Sequence, residues 1–283
     1  MALSAYPTTS LVIPVYRCPD TILPALQRLV EHLRQSPYIW ELIVVDDGSG
    51  DNTPNVVKSF LEGVAGARVI QLSRNLGKGG AVLRGLKEAR GRFRLFTDCD
   101  LAYPLEHLEN LVEALKNGAD VAIVDRRHPL STCEVPTNLL TRAHFREAIG
   151  RGLNRLLKEL GLTAFDDTQA GLKGIRDSVV PLLDLMTVFR FAFDIELLVI
   201  MMQNGCRVAS VPVRYQMTDA PSTVRAFKDG KDVLESVAQI WGNARRGRYR
   251  HPWRAPADPV YTPPTSAAGQ LAANSSLKGR RLA

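Results

Sequence analysis

The chain has 283 residues, of which 45% are hydrophobic and 23% are charged, and its formal net charge is +7. This length allows one large or two small domains, and the composition is ordinary for a globular protein. The basic excess is confined to the C-terminal end, because residues 245–283 hold eight basic and one acidic side chain while residues 1–244 hold 28 of each sign. A neutral body offers no basic groove, which argues against nucleic acid as a partner.

Cysteine and histidine spacing excludes the common zinc motifs. The four cysteines form no CxxC pair and the five histidines form no HExxH sequence, so we expect free thiols in a reducing cytoplasm. The N-terminus lacks a basic-then-apolar signal pattern. The most apolar segment, 182–202, is interrupted by four charged side chains and so predicts a buried helix rather than a membrane span. We therefore expect a cytoplasmic protein.

Strand and helix patterns alternate through the first 125 residues. Apolar runs rich in β-branched residues predict strands at 10–13, 40–45, 69–72, 93–97 and 121–124. Amphipathic spacing and capping residues predict four helices between these strands. The first covers 20–35, the second starts at 53, the third follows the stretch 73–80 and ends at 89, and the fourth covers 105–116. This alternation predicts a Rossmann-like α/β fold with a mostly parallel sheet, right-handed crossovers and helices on both faces.

The second half of the chain is less regular. We predict helices at 141–160, 193–203 and 229–246, and strands at 171–175 and 208–215. From residue 255 the chain is rich in Pro, Ala and Ser and has few large apolar residues. Residues 255–283 are therefore predicted to form a flexible, disordered tail.

Two acids, Asp98 and Asp100, follow the predicted strand 93–97. Carboxylates at i and i+2 beyond the carboxyl end of a strand lie beside the crevice where open α/β sheets bind ligands. Such a pair can hold a hard divalent cation, and the cation can hold a diphosphate. An isolated Asp-x-Asp more often marks two solvated turn residues, so the motifs around it decide between these interpretations.

Two further polar stretches also follow predicted strands. Asp46 and Asp47 can accept hydrogen bonds from a nucleobase or a ribose, but an Asp-Gly turn that caps the next helix would have the same sequence. Gly77 and Lys78 open a helix, where backbone N–H groups and an ammonium suit an anion. A flexible glycine turn explains this stretch equally well, and its spacing is not that of a Walker A loop.

Five motifs occur in order along the chain: Ile13-Pro14-Val15-Tyr16, Val45-Asp46-Asp47-Gly48-Ser49, Asn75-Leu76-Gly77-Lys78-Gly79, Thr97-Asp98-Cys99-Asp100 and Asp167-Thr168-Gln169-Ala170-Gly171-Leu172-Lys173. In sequence and order they resemble the inverting glycosyltransferases of family 2, which have the GT-A fold. The last motif and two later stretches resemble the branch that contains polyprenyl-phosphate (dolichyl-phosphate) glucosyl- and mannosyltransferases: Phe193-Asp194-Ile195-Glu196-Leu197 and Val211-Pro212-Val213-Arg214-Tyr215. The resemblance covers roughly residues 10–231.

The resemblance implies three groups of site residues. Those that would line the donor's nucleoside and diphosphate are Pro14, Tyr16, Asp46, Asp47, Gly77, Lys78, Asp98, Arg126 and Arg127. Those that would hold Mg²⁺ or Mn²⁺ are Asp98 and Asp100. Those that would face the sugar and the acceptor are Asp166, Asp167, Thr168 and Gln169. It also implies one GT-A domain over 1–254, with a nucleotide-binding half at 1–125 and an acceptor half at 126–254.

The implied reaction moves a hexose from a UDP- or GDP-sugar to a polyprenyl phosphate, with the cation compensating charge on the leaving diphosphate. A phosphate acceptor is anionic at neutral pH, so positioning and electrostatics would supply most of the rate. A hydroxyl acceptor would need a base, for which Asp167 or Asp166 is the candidate. A same-fold enzyme with a soluble acceptor and an inactive nucleotide-sugar-binding module are the alternatives.

The predicted helix 229–246 carries an apolar stripe that includes Val237, Ile240 and Trp241. A basic and aromatic cluster follows it at 245–253. An apolar helix face beside such a cluster suits an anionic bilayer, so we predict a peripheral enzyme on the cytoplasmic membrane face. The alternative is that the stripe packs on the core and the arginines are solvated.

Overall fold

The computed structural model describes residues 8–216 and 226–253, so the tail predicted at 255–283 lies outside the described residues. Within them the strands are β1 (Thr9–Val15), β2 (Trp40–Asp46), β3 (Ala67–Gln71), β4 (Phe93–Phe96), β5 (Val121–Asp125), β6 (Thr132–Glu134), β7 (Lys173–Arg176), β8 (Val208–Pro212) and β9 (Arg214–Gln216). The α-helices are α1 (Ile22–Gln35), α2 (Thr53–Leu61), α3 (Lys78–Glu88), α4 (Glu106–Lys116), α5 (Leu140–Glu159), α6 (Phe193–Gln203) and α7 (Ala226–Arg245).

Seven strands form one sheet in the order β3-β2-β1-β4-β7-β5-β8. All neighbours run parallel except β7, which is antiparallel to both β4 and β5. The short strands β6 and β9 pair with each other in a separate two-stranded sheet. The prediction of a mostly parallel sheet is confirmed.

Helices cover both faces of the large sheet because alternate strand residues point in opposite directions. Along β1, Val12 belongs to the core beneath α3, α6 and α7, whereas Leu11 and Ile13 belong to the core beneath α1, α2 and α4. All seven residues of β1 are buried, as expected for a central strand of a parallel sheet. In the described part of the chain, every helix is too short or too polar to span a bilayer.

Strand β1 continues through Pro14, where the sequence pattern had ended it. Its pairing with β4 stops at Val12, whereas its pairing with β2 runs on to Val15. Pro14 therefore lies where one neighbour has already ended, and its missing N–H costs the sheet no hydrogen bond on that side.

The single strand predicted at 208–215 is two strands in two different sheets. Val213 lies between β8 and β9. Its N–H donates to Ser131 Oγ at 2.8 Å, and its carbonyl accepts from the Thr132 N–H at 3.0 Å. These bonds redirect the chain from β5 onto β6. The prediction was wrong because the apolar pattern continues through this point and does not show that the pairing partner changes.

Helix α7 packs on the core, contrary to the predicted membrane-facing stripe. Val237 and Ile240 are 3% and 0% exposed, and Trp241 packs against the same core. Beyond the helix, Tyr249 is fully buried and Trp253 also packs against this core. The prediction of an apolar anchor was wrong because an apolar helix face indicates burial without indicating what buries it.

Candidate active site

Polar side chains from five parts of the chain meet at the carboxyl edge of the sheet. Strands β1, β2, β4 and β5 end there and are followed by Tyr16, Asp47, Asp98 and Arg126. Because β7 is antiparallel to its neighbours, the segment that leads into it, including Asp167, arrives at the same edge. The topology thus brings the predicted donor and acceptor residues to the crevice where open α/β sheets bind ligands.

The Asp46 carboxylate holds the turn that follows β2. It is fully buried and accepts from the Ser49 N–H at 3.2 Å and from the Ser49 hydroxyl. Ser49 Oγ accepts in turn from the Arg17 N–H at 3.0 Å. Tyr16 is 41% exposed, with its ring centroid 5.2 Å from the Arg17 guanidinium, whereas Pro14 is buried in β1. Of the predicted nucleoside-binding residues Pro14, Tyr16 and Asp46, Tyr16 is the one whose side chain is exposed and open to a ligand.

The Asp47 carboxylate clamps the loop that leads into α3. It accepts from Asn75 Nδ2 at 2.9 Å, from the Leu76 N–H at 2.7 Å and from the Gly77 N–H at 2.9 Å. Burial raises the pKa of Asp47 and outweighs the lowering effect of the backbone hydrogen bonds. Both acids of this stretch therefore hold loops, and their contact with a nucleoside stays a prediction.

The N-terminus of α3 has fewer unpaired amides than the sequence suggested. The Gly77 N–H is bonded to Asp47, and the Gly80 N–H donates to the Phe189 carbonyl at 3.1 Å. Gly77 has a φ of +92°, and a Cβ there would lie 2.7 Å from the same Phe189 oxygen, so this position requires glycine. The ammonium of Lys78 is consequently the main group that this helix end presents to an anion.

Asp98 and Asp100 lie in the loop after β4, with Lys78 Nζ 2.6 Å from Asp98 Oδ1. Partial loss of hydration, together with the negative charge of Asp98, raises the pKa of Asp100. A divalent cation would relieve that repulsion, and one or two carboxylates completed by phosphate and water oxygens are a usual Mg²⁺ donor set. The described residues include no group of three or more His, Cys, Asp or Glu that could hold a metal. The pair thus fits a cation that takes its other ligands from substrate and water.

A buried ion pair joins the ends of β5 and the segment before β7. Asp167 is 1% exposed and accepts from Arg126 Nε and Nη2, both at 2.7 Å, and from the Arg126 N–H at 3.0 Å. Burial alone would raise the pKa of Asp167, but the Arg126 guanidinium outweighs it and lowers the pKa. A carboxylate stabilised in this way is a poor proton acceptor. This geometry disfavours the role of general base.

The other predicted acceptor residues hold the same segment in place. Asp166 is exposed and pairs with a lysine of α5 at 2.6 Å, while Arg127 donates to the Asp166 carbonyl oxygen. Thr168 is fully buried and donates to Asn154 Oδ1 at 2.8 Å. Gln169 is half-buried, so its side chain remains within reach of a ligand.

Comparison with known families decides what kind of protein carries this site. The family described as Glycosyl transferase family 2 matches residues 10–173, which include Asp46, Asp98 and Asp167. The chain belongs to glycosyltransferase family 2.

Curated relatives match this family 2 glycosyltransferase over most of its length. Human dolichyl-phosphate beta-glucosyltransferase is 31% identical over 242 residues, covering 80% of this chain and 73% of that protein. Dolichyl-phosphate beta-glucosyltransferase ALG5C of Trichomonas vaginalis is 32% identical over 217 residues, covering 73% of this chain. The chain spans only 63% of the length of the Trichomonas protein.

Solved structures share the fold. Mannosyl-3-phosphoglycerate synthase from Rubrobacter xylanophilus has a TM-score of 0.61 at 18% identity, covering 89% of this chain and 79% of that one. Glucosyl-3-phosphoglycerate synthase from Mycobacterium tuberculosis, in complex with Mn²⁺, UDP and glucosyl-3-phosphoglycerate, has a TM-score of 0.56 at 20% identity, covering 83% of this chain and 80% of that one. These similarities confirm the GT-A fold and, at such identities, the fold alone.

Sequence reasoning missed a buried ion pair beneath the site of this glycosyltransferase. Lys173 is 0% exposed, and its ammonium lies 2.5 Å from Asp194 Oδ1 and 2.5 Å from the Ala170 carbonyl oxygen. By holding Ala170, Lys173 positions Gly171, where a Cβ would lie 2.1 Å from Asp98 Oδ2. The available signal was a lysine in an otherwise apolar strand, because a buried ammonium needs an acidic partner.

A contact between two cysteines was also missed. All four cysteines are free thiols, as predicted, but Cys18 and Cys99 are not isolated from each other. A hydrogen bond from Cys99 lowers the pKa of Cys18.

Proposed function

We propose that the protein is an inverting hexosyltransferase that moves glucose from a UDP- or GDP-sugar to a polyprenyl phosphate. The curated relatives are named for glucosyl transfer to dolichyl phosphate in organisms from Trichomonas vaginalis to human. For this chain, the observation that carries the choice of acceptor is the ion pair between Arg126 and Asp167. The acid best placed to act as a base is held ionised by an arginine, which favours an acceptor that brings its own negative charge.

The donor would occupy the part of the crevice formed by the first 125 residues. Tyr16 and the turn at 46–49 would receive the nucleoside, and Lys78 would face the diphosphate. When bound by Asp98 and Asp100, a Mg²⁺ or Mn²⁺ ion would supply Lewis-acid compensation for charge on the leaving diphosphate. The Mn²⁺ and UDP complex of the Mycobacterium tuberculosis enzyme supports this choice of ligands.

The acceptor would be held by the residues that follow β5 and precede β7. Arg126 is 35% exposed despite its pairing with Asp167, so part of the guanidinium is available to a phosphate oxygen. An acceptor oxygen forms a bond to the anomeric carbon while the bond from that carbon to the donor's diphosphate breaks. Attack on the face opposite the leaving group inverts the anomeric centre, and no proton has to be removed.

A donor and acceptor panel tests the proposal. The full chain is incubated with UDP-glucose, GDP-glucose, UDP-galactose or GDP-mannose, with and without polyprenyl phosphate, and products are identified by mass spectrometry after extraction into organic solvent. We expect a glucosylated lipid only when polyprenyl phosphate is present. Transfer to a water-soluble hydroxyl acceptor, with none to the lipid, would establish the same-fold alternative instead.

A polyprenyl acceptor resides in a membrane, so the proposal requires contact with a bilayer surface. Arg245, Arg246, Arg248 and Arg250 are all exposed, and each basic residue near an anionic surface contributes roughly 1 kcal/mol. Because the apolar stripe of α7 is buried, contact through this end of the helix would be electrostatic and screened by salt.

Vesicle co-sedimentation tests the membrane contact. We expect the wild type to sediment with phosphatidylserine-containing vesicles at low salt and to be released at high salt, while a variant with all four arginines replaced by glutamine stays in solution. The matched control removes four exposed charges elsewhere: Arg28→Gln, Lys58→Gln, Lys116→Gln and Arg155→Gln. Equal loss of sedimentation in the control would show that net charge, rather than this cluster, is responsible.

A further inference from the structure

Lys78 already neutralises the carboxylate that a metal ion would need. Its ammonium lies 2.6 Å from Asp98 Oδ1, and the two side chains are 25% and 36% exposed. An ammonium and a divalent cation repel each other strongly at such separations. Asp98 Oδ1 cannot stay 2.6 Å from the ammonium and also coordinate the cation without this repulsion, so Lys78 and the cation compete for this oxygen.

The groups around Lys78 limit where its ammonium can lie after it leaves Asp98. The negative charges of Asp98 and Asp194 both attract the ammonium of Lys78. The ring of Phe193 lies 5.7 Å from the ammonium. Asp194 is almost fully buried and is fixed by Lys173 at 2.5 Å. When Lys78 leaves Asp98, its ammonium therefore stays beside the ring of Phe193 at the first turn of α3.

We propose that Lys78 is an internal counter-ion that occupies Asp98 in the donor-free protein and transfers to the donor's diphosphate when the divalent cation takes its place. The ion pair between Lys78 and Asp98 is then replaced by one between Lys78 and the diphosphate. Cation and nucleotide therefore bind cooperatively, and the cation binds poorly without the nucleotide. This inference rests on the proposed function in requiring a nucleoside diphosphate donor, but it requires neither the acceptor nor the transfer step.

Manganese binding to the full chain tests the proposal without any turnover. Free Mn²⁺ is measured by electron paramagnetic resonance during titration of the wild type, Lys78→Gln and Lys78→Arg, each with and without UDP or GDP. Without nucleotide, we expect Lys78→Gln to bind Mn²⁺ roughly tenfold or more tightly than the wild type, within the usual range of coupling between two sites. Lys78→Arg keeps the positive charge and is expected to bind as weakly as the wild type.

With nucleotide present, the difference in Mn²⁺ affinity between Lys78→Gln and the wild type is expected to shrink. The wild type gains Mn²⁺ affinity on addition of UDP or GDP, whereas Lys78→Gln gains less because it lacks the cation that pairs with the diphosphate. Adding Asp98→Asn to Lys78→Gln is expected to remove the gain in nucleotide-free affinity, which assigns it to this carboxylate. The thermal midpoint of each variant verifies that it is folded.

Two outcomes would overturn the proposal. One is nucleotide-free Mn²⁺ affinity in folded Lys78→Gln that is equal to or weaker than that of the wild type, including no detectable binding by either. The other is equal enhancement by nucleotide in both proteins. Failure of the proposed function would appear separately, as absent transfer to polyprenyl phosphate with the Mn²⁺ result unchanged.

Discussion

At the scale of single residues, some carboxylates of the crevice hold loops in place through hydrogen bonds, whereas others remain available to bind a cation. Asp47 accepts three hydrogen bonds from the loop before α3, and Asp46 accepts two from Ser49. Asp100 is an exposed residue that accepts from the Ala102 N–H at 3.2 Å, and partial loss of hydration together with the charge of Asp98 raises its pKa. A carboxylate kept in so unfavourable a setting is a candidate for function.

Asp100→Asn is expected to nearly abolish transfer and to weaken donor binding, because the cation loses an anionic ligand. Transfer and donor affinity are measured with saturating Mg²⁺ or Mn²⁺. Without donor, the thermal midpoint should not fall, since the substitution also removes a charge that Asp98 repels. Full activity of the variant in the presence of EDTA would contradict the assignment of Asp100 to the metal.

Asp167→Asn separates the two acceptor classes. With a phosphate acceptor, we expect a loss of rate through misplacement of Arg126, smaller than the ~10²–10⁴-fold that general-base catalysis supplies. Because Arg126 lowers the pKa of Asp167, the pH profile of the wild type should show no titration of this group near neutral pH. A loss within or above that range, together with such a titration, would indicate a hydroxyl acceptor and a catalytic base.

At the scale of elements, the antiparallel strand β7 is what completes the site. It pairs with β4 and β5 on its two sides, so the segment before it reaches the loop of Asp98. Gly171 marks the contact, because a Cβ there would lie 2.1 Å from Asp98 Oδ2. The ion pair of Lys173 and Asp194 holds this segment near Asp98, because the Lys173 ammonium also donates to the Ala170 carbonyl.

Gly171→Ala is expected to reduce transfer by about 10²-fold, since a displacement of about 1 Å at a reacting group can have that effect. Mn²⁺-dependent donor binding should weaken in parallel, because Asp98 must move. The matched control is Gly152→Ala in α5, where a Cβ would meet nothing within 4 Å. The control should keep full activity and gain roughly 0.5–1 kcal/mol in free energy of unfolding. Equal activity of the two variants would disprove the contact.

At the scale of the whole molecule, the residues just beyond α7 belong to the folded body. Tyr249 is fully buried, and its hydroxyl donates to Glu196 Oε1 at 2.5 Å. The Trp253 indole N–H donates to the Ser178 carbonyl at 2.7 Å. The C-terminal boundary of the proposed domain therefore lies after these two aromatic residues.

Shortened chains test that boundary. A chain ending at residue 254 is expected to unfold at the same denaturant midpoint as the full chain and to keep its transfer activity. A chain ending at residue 248 loses both aromatic anchors and should be destabilised by at least ~3 kcal/mol, as for removal of a large core side chain. A large loss of stability in the longer chain would place part of residues 255–283 inside the domain.

The sequence by itself determined the family and the alternation of strands and helices, and it predicted which residues would line the crevice. These features are encoded locally: burial on both faces produces continuous apolar strands, and the motifs follow those strands directly. Helix α6 was predicted with the bounds that the structure shows, Phe193–Gln203, because its apolar run lies between clear breaks.

The tertiary structure alone decided which of these residues meet and what each face contacts. Arg126 and Asp167 are 41 positions apart, and only the antiparallel insertion of β7 joins them. The turn at Val213 and the burial of the apolar stripe of α7 likewise depend on which part of the protein each apolar segment packs against. Local periodicity reports that a side chain is buried, whereas the partner that buries it is set by contacts between distant parts of the chain.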